Sequence, residues 1–280
     1  MKTPIIHSVL AAITLALCGA APTHAQDYPA KPVRVVSTFP VGSGPDVALR
    51  LVADRLSQKW GQPVMVENKP GGNGFIAIDA AKRSPADGYT LLQMDNAQTS
   101  AHPYLFKKLP YDLMRDFEPI TPMLRNYFFV VVPVDSPFRG TGDLLQAARA
   151  KPGSVTYGSW FGGSAGPLQR AGKVRYLAVS APRRLAGFPD VPTIAESGGP
   201  ADFDLAGSVA LLAPKGTPAA VADKIQRDVA QVLRDPEVLK RYDAMFYEPY
   251  VLERAEYVKE LADETRRFGQ VLKRLNIALD

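Results

Sequence analysis

Cysteine and histidine are almost missing from this chain. Its 280 residues include one cysteine, Cys18, and three histidines, His7, His24 and His102. Residues 1–25 read as an export signal. Lys2 gives a short positive start, 5–17 form an apolar stretch too short to span a bilayer, and Thr23-His24-Ala25 is a small-residue cleavage site before Gln26. Leu17 ahead of Cys18 argues against a lipoprotein site. Once that segment leaves, no cysteine remains and His102 is the last histidine. Disulfides, a thiol nucleophile and thiolate metal ligation are then excluded, and zinc or histidine-dependent chemistry has little to build on. No catalytic residue, no metal and no cofactor are expected.

Blocks of Lys or Arg are also missing. The formal charge of +5 falls to +4 without Lys2 and is spread along the chain. That suits a small acidic ligand better than nucleic acid, though solvated surface charge explains it more simply. There is no internal repeat and no low-complexity tract. With 46% hydrophobic content, 280 residues can bury a large core, divided between two lobes.

What is present centres on residues 39–46, FPVGSGPD. An apolar run, 33–39, reads as a buried strand before it, and 47–60 has a helical period after it, with Leu51, Val52 and Leu56 on one face. Gly42 and Gly44 allow a tight turn, Pro45 suits a first helical turn, and Ser43 and Asp46 have capping-box spacing. A helix beginning here offers free N–H groups and a positive dipole end to an anion. The turn lacks the third glycine of a dinucleotide fingerprint and the Gly-Lys-Ser/Thr of a phosphate loop, and plain chain geometry also accounts for it.

Further along, strands are expected at 64–67, 89–94, 120–124, 127–132, 173–180 and 205–213. Helices are expected at 75–82, 142–150, 218–233, 237–245 and 253–275, the last with a polar face and read as a surface helix. The alternation predicts a mostly parallel sheet covered on both faces. Residues 95–100, DNAQTS, end one strand with hydrogen-bonding side chains; they form either a crevice wall or an ordinary turn. Asp46, Glu67 and Asp95 sit at loop edges, where capping or turn roles suit them. Residues 162–166, GGSAG, match the nucleophile elbow G-x-S-x-G, but no histidine follows Ser164 to take its proton. The hydrolase reading fails on that chemistry.

The motifs 28–34 (YPAKPVR), 39–46, 66–74 (VENKPGGNG), 85–92 (PADGYTLL), 108–112 (KLPYD), 116–119 (DFEP), 170–175 (RAGKVR), 188–193 (FPDVPT) and 212–218 (LAPKGTP) occur in order. In this the chain resembles the TctC-like substrate-binding proteins of tripartite tricarboxylate transporters, the Bordetella uptake gene (Bug) family. The resemblance covers nearly the whole chain after residue 25. It implies an α/β, two-lobed periplasmic binding protein (type II-like), a monomer that holds a small organic acid or amino acid between its lobes. It also implies a membrane transporter with TctA/TctB-like subunits as partner, and no enzymatic activity. The implied ligand contacts are Phe39, Gly42, Ser43, Gly44, Asn96, Gln98 and Thr99 in the first lobe, and Ser159, Trp160, Gly163 and Ser164 in the second.

Residues 26–125 and 214–280 are expected to form the first lobe and 126–213 the second. Between Ser164 and Leu168 the chain departs from its relatives: roughly fifty residues are absent, more than one βαβ unit. A truncated second lobe with uncovered apolar faces follows, at ~25 cal/mol per Å² of lost burial. Two other roles stay open: a ligand-sensing partner of a membrane receptor, or a non-functional truncated paralogue.

Overall fold

In the computed structural model, residues 28–156 and 165–279 are described. The expected export signal, and Ser159, Trp160, Gly163 and Ser164, lie outside them.

The chain begins with β1 (Val33–Ser37), α1 (Gly44–Trp60) and β2 (Val64–Asn68), then a 3-10 turn (Gly72–Gly74), α2 (Phe75–Lys82) and β3 (Thr90–Asp95). Gly61 ends α1 in the left-handed region, φ 64°, and returns its N–H to Ser57 O at 3.0 Å. A π-turn, Ala97–Ala101, leads into α3 (His102–Leu105), followed by α4 (Leu113–Asp116), β4 (Phe117–Tyr127) and β5 (Phe129–Pro133). Next come α5 (Thr141–Ala150), α6 (Ala165–Arg170), β6 (Val174–Val179) and β7 (Ala206–Pro214). The chain closes with α7 (Ala219–Val232), α8 (Pro236–Ala244), β8 (Glu248–Pro249) and α9 (Arg254–Leu275).

Six strands form one sheet in the order β2-β1-β3-β7-β4-β8. Parallel pairing is confined to β1 with β2 and β3; β7 runs antiparallel to both β3 and β4, so β4 points the same way as β1 and β3, and β8 runs antiparallel to β4. The expected mostly parallel sheet is therefore a mixed one. The reason is topological: β4 carries the chain out to a second, two-stranded sheet of β5 and β6, and β7 brings it back in the opposite direction. Residues 206–213 thus lie in the larger sheet, paired with β4. Ser180 clasps both connections. Its hydroxyl accepts from Phe128 N (2.8 Å) and donates to Leu205 O (2.6 Å), while its backbone bonds Phe128 O and Leu205 N.

Alternation along the central strands feeds two cores. Val35, Leu91 and Leu211 face α1, α7 and α8; Val36, Leu92 and Leu212 face α2 and α9. The second sheet is covered far less. Phe129, Val130 and Val131 stay half-buried, and Thr141 is the one fully buried residue of α5. This is the thin covering expected of a shortened lobe.

In the first core, the Tyr242 hydroxyl is buried with no partner among the described residues. Burying a polar group unpaired costs about 1–3 kcal/mol. Tyr242→Phe should accordingly raise stability by about 1 kcal/mol, or roughly 2–4 °C in a thermal melt. A lower melting temperature for the variant would show that the hydroxyl is satisfied.

Candidate functional site

The loops that leave β1, β2 and β3 all emerge at the carboxyl edge of the parallel strands, and side chains lace them together. Thr38 Oγ1 donates to Gln98 Oε1 (3.0 Å), joining the β1 and β3 loops. Asn68 Nδ2, at the end of β2, donates to Phe39 O (3.0 Å) and Asp46 Oδ1 (2.7 Å). Gln93 of β3 accepts from Ser37 Oγ (2.6 Å) and donates to Pro45 O (2.9 Å). Phe39, Gly42, Ser43, Gly44, Asn96, Gln98 and Thr99 thereby stand along one edge of the sheet.

The start of α1 differs from the spacing-based expectation. Ser43 is the N-cap residue, but its hydroxyl donates to Pro40 O (2.8 Å) and caps nothing. Asp46, 1% exposed, accepts from Gly42 N (2.8 Å), Asn68 and Arg50 Nε (3.1 Å). The capping box is not made because this carboxylate reaches one residue further back, to Gly42, whose φ of 79° turns its amide inward. Burial pushes the Asp46 pKa up, but hydrogen bonds from Arg50, Asn68 and the Gly42 amide outweigh it, and the group sits below the usual carboxylate range. The Gly42 N–H is thus spent inside the protein, Pro45 has no N–H and Val47 N bonds Ser43 O (2.9 Å), so the first-turn amides of α1 without an intrahelical partner are those of Gly44 and Asp46.

At the end of β3, residues 95–100 form a turn held by its own side chains at the sheet edge. Asp95 Oδ1 accepts from Gln98 N (2.9 Å), and burial raises its pKa despite the Gln98 and Ala97 amides. Gln98 Oε1 also accepts from Asp95 N (3.2 Å). Asn96 Nδ2 donates to Ala206 O (3.0 Å) and Glu264 Oε1 (2.7 Å), and its Oδ1 accepts from Ser208 N (3.3 Å). The second carboxylate oxygen of Glu264 accepts from Ser100 Oγ (2.8 Å). Asn96 and Gln98 therefore shape the loop through side chains already occupied. The sequence reading missed Glu264. Its signal was the spacing Tyr257, Leu261, Glu264, which places it on the inward stripe of α9, whose first two members are buried. Glu67 lies within β2 and, in place of the expected capping or turn role, forms ion pairs with Arg34 (2.9 Å) and Lys69 (2.8 Å).

Behind this turn, Tyr111 donates to Gln98 O and accepts from His102 Nδ1 (3.0 Å), which fixes the His102 proton on Nδ1. The ring is packed against Phe75 and Phe106, and burial lowers its pKa to about 4. Because the folded value lies below the unfolded one of about 6.5, stability is lost as pH falls from about 6.5 to about 4. His102→Gln should flatten that part of the pH–stability curve in urea melts; an unchanged slope would assign it to other groups.

An open hollow of about 620 Å³ lies on the second unit between α5 and residues 198–200, lined by Leu145, Gln146 and Arg149 and by none of the expected contacts. It is where α5 lacks cover. Among the described residues no cluster of three or more His, Cys, Asp or Glu is placed to hold a metal, and no helix is long and apolar enough to cross a membrane.

Two α/β units joined by crossing strands, with glycine-bearing loops at the carboxyl edge of the first, define a periplasmic-type solute-binding fold. The profile of the tripartite tricarboxylate transporter family receptor, TctC, matches residues 48–169 and 163–277, and the chain belongs to that family. A UPF0065 protein of Bordetella bronchiseptica is 30% identical over 313 positions, covering 96% of this chain and 92% of the relative. BugT of Bordetella pertussis is 28% identical over 301 positions, covering 91% and 92%. Among solved structures, a periplasmic transporter is 31% identical with a TM-score of 0.79, covering 90% of this chain and 100% of that one. Rpa4515 of R. palustris, solved with adipate, is 25% identical with a TM-score of 0.80 and the same coverage. The two profile matches meet at 163–169, and the 313-position alignment is longer than the 280-residue chain. Both agree with a shortened second lobe.

Proposed function

We propose that this periplasmic-type receptor captures a small carboxylate-bearing solute at the carboxyl edge of β1–β3 and delivers it to a membrane transporter with TctA/TctB-like subunits. The observation that carries the reading is the convergence of the 39–44 and 95–99 loops around the start of α1, where unpaired amides and the helix dipole favour an anion. Adipate in the R. palustris neighbour supports a dicarboxylate of that size. Ser159, Trp160, Gly163 and Ser164 would supply the opposing wall. Cleavage after Ala25 would release a monomer into the periplasm.

Titration calorimetry with adipate, shorter dicarboxylates, aromatic acids and amino acids tests the binding. Saturable heat with at least one acid is expected; none with any acid would refute it. Mass spectrometry of a periplasmic extract should find Gln26 as the first residue.

A further inference from the structure

Residues 246–248 touch both units. Phe246 has a φ of 59°, a conformation unfavourable for any residue with a bulky side chain. Its ring packs on Phe188 at 4.6 Å between centroids, and Phe188 packs in turn on Phe129 (4.8 Å) and Tyr176 (5.7 Å) of the second sheet. The next residue, Tyr247, belongs to the first unit. Its hydroxyl lies so near Gly44 that a Cβ at that glycine would collide with it. Glu248 then pairs with Arg125 in β4, which runs parallel to β1 and β3, so this strip lies at the same sheet edge as the start of α1.

The donors already around that start are committed elsewhere. Ser43 donates to Pro40, Thr38 to Gln98, Asn68 to Phe39 and Asp46, and the Gly42 amide to Asp46. The Tyr247 hydroxyl, by contrast, has no hydrogen-bond partner among the described residues. We propose that Tyr247 is a specificity-determining residue of the carboxylate site, its phenol donating a hydrogen bond to the acid group of the solute beside the first-turn amides of α1. This rests on the reading of that edge as the binding site. Burial raises the phenol pKa, so the group stays protonated and able to donate throughout the neutral range. The tilted packing of Phe246 against Phe188 ties the position of the phenol to the second unit, and this gives the unfavourable backbone at 246 a use. The absence of a Cβ at Gly44 is what lets the phenol approach the helix end.

The test is calorimetry of wild type, Tyr247→Phe and Tyr247→Ala with adipate first, then every other acid that the wild type binds, alongside thermal melts. Tyr247→Phe keeps the ring and removes the donor. It should weaken binding roughly tenfold while leaving the melting temperature within about 2 °C. Tyr247→Ala should weaken binding further and admit bulkier acids. Wild-type affinity in Tyr247→Phe overturns the proposal and leaves the binding site standing. Affinity lost only together with a marked fall in melting temperature overturns it too. If the wild type binds no acid, the site itself is refuted, and the role of Tyr247 with it.

Discussion

Asp46→Ala is expected to lower the thermal midpoint by roughly 6–12 °C, which corresponds to about 3 kcal/mol for a chain of this size. The side chain is 1% exposed and holds three groups at once: the Gly42 amide, Asn68 Nδ2 and Arg50 Nε. Arg50 is half exposed and can turn to water, so the cost comes mainly from the Gly42 amide, left without a partner, and from Asn68 Nδ2, which keeps only Phe39 O. The negative charge in the first turn also complements the α1 dipole, and the variant loses that contribution. Since the folded pKa of Asp46 is depressed, its contribution is complete above the unfolded value near 4 and is lost as pH falls through the lower folded one. Asp46→Asn keeps one acceptor and should fall between wild type and alanine. If the site is as proposed, acid binding weakens in parallel, because the 39–44 loop loses its anchor. A thermal midpoint within about 2 °C of wild type would show that the loop holds its shape without this carboxylate.

The second large effect is expected at Glu264. Glu264→Ala removes the acceptor shared by Asn96 Nδ2 and Ser100 Oγ, frees the 96–100 turn from α9, and should cost about 2–3 kcal/mol. Glu264→Gln retains an acceptor for Asn96 and can donate to Ser100, so it should lie close to wild type. The pH dependence separates the two effects. Burial raises the Glu264 pKa against the hydrogen bonds from Asn96 and Ser100, so the folded chain keeps its proton to higher pH than the unfolded chain. Its stabilising contribution is therefore fully present below the unfolded value and declines as pH rises through the folded one. Asp95, raised by burial as well, adds a slope of the same sign that Glu264→Gln leaves in place. Urea melts from about pH 4 to 8 measure the difference, and identical profiles for wild type and Glu264→Gln would show that Glu264 titrates alike in the folded and unfolded chain.

Elements governed by local chemistry were legible in the sequence. The helices expected at 47–60 and 75–82 are α1 and α2. The β3 loop was placed at the sheet edge for the same reason, a strand followed by turn-forming side chains. Where local signals conflict, the reading slipped. A break was expected between strands at 120–124 and 127–132, but β4 runs unbroken from Phe117 to Tyr127 and absorbs Pro119 and Pro122 at two register shifts. Proline lacks the ladder donor, so it fits a strand at such irregularities. Partnerships over long chain distances left no local trace. Asn96 and Glu264 are 168 residues apart, and the Ser43–Asp46 spacing gave no hint that Asn68 and Gly42 would compete for the Asp46 carboxylate. The direction of β7 was equally hidden, since it depends on where the second unit returns the chain.

That direction bears on how the molecule assembles. The strand at the centre of the larger sheet is supplied by residues 206–214, after the whole second unit has been made. Until it arrives, β3 and β4 have no common neighbour, and the early half of the chain holds two open fragments with unpaired edges. Closure of the larger sheet is therefore a long-range event that needs residues from the final third of the chain.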